Sequence, residues 1–387
     1  MRIWHTSDWH VGRTFHGHAT LAPLEGVLSE MAQTVAALEV DLVVVSGDVY
    51  DSSTPSAEAI GVFNRSLRRL REAGPQVVLT AGNHDSPTRL GSMSDFVSAS
   101  GVHVVTRPEQ VTTPVTLYDA HGPVHVYGIP FLEPARLRHV WQAEPMRTQA
   151  HAISEAMRLV RADLAERGGG RSVVLAHTFV AGAEGESCES ERAIVDTLAV
   201  GGVDRVPVSA FDGVTYAALG HVHGRSVLAE HVRYSGAPLH LSFSEEAKPR
   251  GGWLVELDES GLTDVTWVDL TVPRALVTLT GTLQELLDAP EHEAHTSAWV
   301  RAHLTDPLRQ RDAMRRLQSR FPHCAQLDYV ALAAPVGGDR AYRELVHGKS
   351  DLEVVDTFLG RVRGTGLDPD ERAIVDDVLA HAGHEVS

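Results

Sequence analysis

The sequence predicts an α/β fold around a mostly parallel sheet, followed by a small αβ segment and a helical C-terminus. Three observations carry this. Short β-branched runs alternate with amphipathic stretches as far as about residue 225, which is the pattern of βαβ units. Nearly every such run ends in a polar motif, as expected where loops converge at the carboxyl ends of parallel strands. Pro273 marks a boundary beyond which three strands with helical segments between them make a small αβ unit, and after Gly337-Gly338 the chain turns helical.

In chain order, strands are predicted at Arg2–Thr6, Leu42–Val45, Val77–Ala81, Val124–Ile129, Val173–Ala176 and Tyr216–Leu219. Leu24, Val27, Leu28, Met31, Val35 and Leu38 form an i, i+3, i+4, i+7 stripe, hence a helix between the first two. Ile60, Phe63, Leu67 and Leu70 repeat it, as do Ile153, Met157, Val160 and Leu164 before Gly168-Gly169-Gly170. Val227–Tyr234 and Gly252–Leu257 read as strands without long helices, so part of the sheet should be antiparallel. Past Pro273, strands are predicted at Ala275–Thr280, Ala298–Leu304 and Ala325–Leu332, with a helix opened by Asp306-Pro307. Ser350 to Glu353 fits a capping box leading into Val354, Val355, Phe358, Leu359 and Val362. Asp368-Pro369 starts a last helix carrying Ile374, Val375, Val378 and Leu379. The domains are therefore read as 1–272, 273–336 and 337–387.

Composition excludes several classes. Of 387 residues, 43% are hydrophobic and 22% charged, so the chain has the makings of a globular core. Two cysteines, Cys188 and Cys324, support neither a disulfide framework nor a zinc ribbon. The N-terminus lacks the apolar stretch of a secretory signal, and no run approaches the ~20 apolar residues of a bilayer span. A cytoplasmic protein without a membrane partner is expected. With 34 basic against 51 acidic residues the net charge is −17, which opposes unaided phosphate binding. Only Lys248 and Lys349 are lysines, so arginine abundance reads as compositional bias, and 22 histidines make any lone histidine weak evidence.

The motifs at the strand ends are Asp8-Trp9-His10, Gly47-Asp48 with Asp51, Gly82-Asn83-His84-Asp85, the lone His177, and Gly220-His221-Val222-His223. Singly, each is a common turn or chance match. Together they bring carboxylates, an amide and imidazoles to one edge of a sheet. That donor set suits Mn²⁺, Fe²⁺ or Zn²⁺ held by oxygen and nitrogen rather than thiolate, and a carboxylate shared by two cations is the two-metal design for displacement at phosphorus.

In this order the motifs resemble the calcineurin-like metallophosphoesterases. More narrowly, residues 1–11, the motif spacing and Tyr234-Ser235-Gly236-Ala237-Pro238-Leu239 through Phe243 resemble the SbcD-type nucleases. Ser244 departs from that pattern, where an acid is more usual, in what reads as a peripheral loop. The resemblance implies a four-layer α/β/β/α sandwich with a small capping domain and a partner-binding tail. It further implies one metal on Asp8, His10 and His223, a second on Asn83, His177 and His221, and Asp48 bridging. His84 would contact the phosphate or protonate the leaving oxygen. Asp85 would orient His84, and Asp51 a ligating side chain, with simple turn capping the alternative for both.

The implied activity is Mn²⁺-dependent DNA cleavage, with Mg²⁺ the alternative metal. It would combine 3′-to-5′ exonuclease with endonuclease or hairpin opening, in DNA repair and recombination. Hydroxide would attack phosphorus in line and expel a sugar hydroxyl. A phosphatase or phosphodiesterase for small substrates is the alternative, and a metal-bearing scaffold without catalysis is another. Residues 348–387 hold 4 basic and 9 acidic residues, net −5, so the tail is no DNA-binding arm. The apolar stripes of its helices either fold back on their own domain or need another surface, and the resemblance implies docking to an SbcC-like coiled-coil ATPase, in a heterotetramer with a homodimeric nuclease. Leu21-Ala22-Pro23-Leu24 and the adjoining helix are the candidate dimer interface.

Overall fold

The computed structural model describes residues 1–141, 146–182, 205–330 and 348–382. Cys188 and the Gly337-Gly338 boundary lie outside the described residues. The chain divides into two compact units, Met1–Leu276 and Val277–Ser387.

The first unit holds two six-stranded sheets. One runs in the order Gly261–Asp269, Gly251–Asp258, Arg2–Thr6, Leu42–Ser46, Gln76–Thr80, Val102–Val105. Its last four strands are parallel, and Gly251–Asp258 pairs antiparallel with both neighbours. The other runs Ser226–Ala229, Val232–Tyr234, Tyr216–Gly220, Arg171–His177, Gly122–Ile129, Val115–Asp119, parallel except for its two edges.

Alternation along these strands builds the layers. Ile3, Leu42, Val44 and Val78 of the first sheet share a core with Val124, Val126, Val173, Leu175, Tyr216 and Ala218 of the second. Their neighbours point the other way. Trp4, Val43, Val45, Val77 and Leu79 meet Leu24, Leu28, Met31 and Val35 of helix Leu21–Ala37, and Phe63 and Leu70 of helix Ala57–Glu72. Tyr127, Val174, Ala176 and Leu219 meet Ile153, Met157 and Val160 of helix Gln149–Glu166. Three cores separate four layers, α/β/β/α. Strands buried on both faces need continuous apolar runs, which explains their legibility in the sequence.

Several expectations change. Within the candidate dimer segment Leu24 is buried against the first sheet, whereas Leu21 and Pro23 are half-buried and Ala22 is exposed, so Leu24 itself offers a partner no surface. Val227–Tyr234 is an antiparallel hairpin, broken at Glu230-His231. Val102–Val105, Val115–Asp119 and Gly261–Asp269 are additional strands, all at sheet edges.

In the second unit, Leu276–Gly281, Trp299–Leu304 and Cys324–Tyr329 form a sheet in that order. Its core joins Leu279, Val300, Ala302 and Leu304 to Leu283 and Leu286 of helix Leu283–Asp288 and Leu317 of helix Ala313–Arg320. Asp306-Pro307 opens no helix. Its carboxylate accepts the Leu283 N–H at 2.7 Å, serving the start of a helix 23 residues earlier. Helix Asp351–Arg363 opens with the expected capping box, Ser350 and Glu353 exchanging hydrogen bonds. It meets helix Pro369–Ala382 through Arg363–Glu371 and the Leu367 N–H on Asp356.

Candidate metal centre

Each motif sits where a parallel strand ends. Asp8 and His10 follow Arg2–Thr6, Asp48 and Asp51 follow Leu42–Ser46, and Asn83, His84 and Asp85 follow Gln76–Thr80. His177 is the last residue of its strand, and His221 and His223 follow Tyr216–Gly220. The first two loops are laced by backbone bonds, Asp8 N–H to Gly47 O at 3.1 Å and His10 N–H to Asp48 O at 2.9 Å.

The two sheets come together at the same point. Ser46 Oγ donates to Ala218 O at 2.8 Å, His177 Nδ1 donates to Ser46 O at 2.9 Å, and His221 N–H donates to Asp8 at 3.0 Å. A Cβ on Gly220 would lie 1.8 Å from Ser46 O, so only glycine allows this approach. Four residues of the cluster hold positive φ without being glycine: Asp8 (52°), His10 (44°), Asp48 (46°) and His221 (103°). Backbone strain of this kind collects at functional sites, where the surrounding structure over-determines it.

All the expected site residues come together here. Potential donor atoms of Asp8, His10 and His223 lie within 4.8 Å of one another, as do those of Asp8, Asp48 and His177, and of His10, Asp48 and His84. Asn83 Oδ1 lies 3.0 Å from His177 Nε2 and 3.2 Å from His221 Nδ1. Asp8, His10, Asp48, His177 and His223 are buried, whereas Asn83, His84 and His221 are half-buried and form the mouth.

The hydrogen bonds around the rings leave lone pairs facing inward. His177 spends Nδ1–H on Ser46 O, so in the neutral ring Nε2 is an acceptor, facing Asn83 Oδ1 and, at 3.2 Å, Asp48 Oδ2. His10 donates from Nδ1 to Asp51 Oδ1 at 3.1 Å, and its Nε2 faces His223 Nε2 at 3.1 Å and Asp48 Oδ2 at 3.6 Å. Acceptors packed this closely require a cation among them. In a metal-free site a proton serves: burial alone would lower His177, but the Asp48 carboxylate outweighs it and raises the ring to about 9. Burial would likewise raise Asp48, yet His177, His10 and His84 hold it well below the usual carboxylate range. Burial pushes Asp8 up to about 7 against the pull of His177 and His223. Oxygen and imidazole donors with compensating charge fit divalent cations.

Two supporting roles differ from expectation. Asp85 does not touch His84. Its carboxylate accepts the N–H groups of Val49, Tyr50 and Gly82 at 2.9–3.0 Å, so it shapes the Asp48 loop instead. His84 is oriented by the Asp51 carbonyl, which accepts from Nδ1 at 3.0 Å. The loop after Phe243 is not peripheral either. Glu245 lies buried with its Oε1 3.4 Å from His223 Nδ1. The sequence motifs do not include it, although the adjacent acids Glu245-Glu246 after a Pro-Leu-rich stretch were a signal.

Residues 1–225 match the family of calcineurin-like phosphoesterases, and the chain belongs to that family: it is a metal-dependent phosphoesterase. Residues 272–363 match a second family, the Type 5 capsule protein repressor C-terminal domain. Over both segments the chain is similar to SbcD proteins. It is 26% identical over 332 residues to the SbcD subunit of nuclease SbcCD from Staphylococcus epidermidis, covering 85% of this chain and 86% of the relative. To the protein of the same name in Staphylococcus saprophyticus it is 25% identical over 381 residues, 98% of each chain. A dimetal phosphatase from Danio rerio is similar in structure, with a TM-score of 0.40 and 12% identity, over 70% of this chain and 99% of that one. No helix among the described residues is long and apolar enough to cross a membrane.

Proposed function

We propose that the chain is the nuclease subunit of a cytoplasmic SbcCD-like complex. Its activity is Mn²⁺-dependent hydrolysis of DNA phosphodiesters, 3′-to-5′ at duplex ends and endonucleolytic at hairpins, in DNA repair and recombination. The observation that carries it is the convergence of seven donors from five loops, Asp48 among them, with His84 beside them. The likeness to SbcD subunits of nuclease SbcCD along most of both chains supports DNA as the substrate.

In this reading Asp8, His10 and His223 hold one ion, Asn83, His177 and His221 the other, and Asp48 is shared. Mn²⁺ suits the mixed donor set, with Mg²⁺ the alternative. Bound there, such ions would supply charge neutralisation on the phosphoryl oxygens and a water that is nucleophilic at neutral pH. His84 acts through Nε2, which is buried and free of hydrogen bonds while Nδ1 stays on the Asp51 carbonyl. In the doubly protonated ring, Nε2–H contacts the phosphate or passes its proton to the leaving sugar oxygen while Nδ1–H stays on the Asp51 carbonyl. Asp51 sets two rings at once, His10 through its carboxylate and His84 through its carbonyl.

The tail docks an SbcC-like coiled-coil ATPase. Phe358, Ile374 and Val378, 50–65% exposed, supply the apolar contact. A homodimer of this chain completes the heterotetramer, and the partner subunits offset the net charge on DNA.

The test is Mn²⁺-dependent cleavage of end-labelled linear and hairpin duplexes by wild type and His84→Ala. Wild type should cut, and His84→Ala should be slower by at least ~100-fold. Wild type inert on DNA with and without the ATPase, yet rapid on a nucleotide or phosphoprotein, would transfer the reading to a small-substrate phosphatase.

A further inference from the structure

Behind His223 lies an ion pair that none of the strand-end motifs includes. Glu245 and Arg250 are 1% and 2% exposed. Arg250 Nη2 donates to Glu245 Oε2 at 2.5 Å, and Leu241 N–H donates to the same oxygen at 2.7 Å. Arg250 Nη1 donates to the carbonyl of His223 and, at 3.3 Å, to that of Ala237. Glu245 Oε1 is buried without a hydrogen bond of normal length and lies 3.4 Å from His223 Nδ1. On the opposite side of the ring, Nε2 faces the donor cluster with Asp8 and His10. Gly236, at φ +75°, lets the chain pass so close that a Cβ there would be 2.5 Å from His223 O.

Burying two charges costs several kcal/mol per ion, so such a pair is weak evidence of stability by itself. Here both members converge on one histidine, one on its ring and one on its backbone. We propose that Glu245 and Arg250 are positioning residues for His223. Glu245 accepts a hydrogen bond from Nδ1–H and thereby commits the Nε2 lone pair to the cation site, while Arg250 fixes both the carboxylate and the His223 carbonyl. A carboxylate behind a ligating imidazole sets its tautomer and raises its basicity. The competing role is a plain counterion for Arg250 that braces residues 236–250. The proposal rests on the divalent-metal reading of the centre.

The experiment titrates Mn²⁺ by calorimetry into the chelator-stripped full chain, as wild type and Glu245→Gln, with thermal unfolding of both in EDTA. Wild type should bind two ions. Glu245→Gln should weaken one of them by ~10–100-fold and leave the other unchanged. Two ions bound by the variant as by wild type, or both weakened in step with a fall in EDTA melting temperature, overturns the positioning role and leaves the metal reading intact. Wild type that binds no Mn²⁺ overturns both. If Glu245→Gln does not fold, the ring ¹⁵N spectrum of metal-free wild type decides, with His223 identified by its loss in His223→Gln. At a pH where the ring is neutral, a proton on Nδ1 supports the proposal and a proton on Nε2 ends it.

Discussion

Asp48 is constrained through its backbone and both carboxylate oxygens, and these constraints reach three histidines. Its carbonyl accepts from His10 N–H, Oδ1 accepts from His84 N–H at 2.9 Å, and Oδ2 faces His177 and His10. His84, by contrast, contributes a ring whose Nε2 is not needed to hold its neighbours in place. The two residues should therefore separate in a metal assay. Asp48→Ala is expected to lose both bound metal and activity, whereas His84→Ala keeps nearly normal metal content and loses turnover. Metal content by mass spectrometry alongside cleavage rates checks this, and a His84→Ala protein emptied of metal would make His84 a ligand.

The site was legible at this scale because chemistry constrains residue type: Asp, Asn and His at strand ends have few other reasons to recur in that order. Supporting groups were less legible. Asp85 bonds to backbone N–H groups, which nearly every residue has, and Glu245 reaches His223 from 22 residues away. Neither contact leaves a local pattern.

Elements were legible where both faces are buried. Inner strands such as Leu42–Ser46, Gln76–Thr80 and Tyr216–Gly220 are largely apolar runs, while Gly261–Asp269 is an edge strand with Thr263 and Asp264 exposed, so its alternation blurs into polarity. Asp306 misled for a related reason: a capping side chain identifies itself, but not which helix it serves. Gly220 ends an inner strand against the other sheet, and Gly220→Ala drives a Cβ into Ser46 O. The expected loss is ~3 kcal/mol or more, read by denaturant unfolding, together with weaker metal binding.

Arg171, at the start of its strand and little exposed, makes two hydrogen bonds to Asp119 across the sheet, at 2.6 and 2.8 Å. These bonds hold Asp119 well below the ordinary carboxylate value of 3.8. A carboxylate depressed by folding adds stability above its unfolded value and loses it as pH falls through the folded one. The contribution should be full at neutral pH and fade below about pH 4. Asp119→Asn should lower stability at pH 7 by ~1–3 kcal/mol, since Arg171 loses its partner. The gap from wild type should narrow as the pH approaches 2. Equal gaps at both pH values would show that the charge is irrelevant.

For the whole molecule, the net charge of −17 and the two acidic tail helices place the DNA grip outside this chain in the proposed complex. Deleting residues 349–387 should leave Mn²⁺-dependent cleavage intact and abolish its stimulation by ATP and the ATPase subunit. Stimulation that survives the deletion places the docking surface elsewhere.

The meeting of the sheets at Ser46 and Gly220 has a consequence for the lifetime of the fold. The donors proposed for each ion come from both sheets, so any opening that parts the halves splits both sets. The His221 amide, bonded across the junction to Asp8, should exchange with solvent only through the slowest, domain-wide opening. A bound ion then works as a clasp. At a free concentration 100 times its dissociation constant it adds ~2.7 kcal/mol to that opening. Loading the centre thus also selects, from all copies of the chain, those that have finished folding.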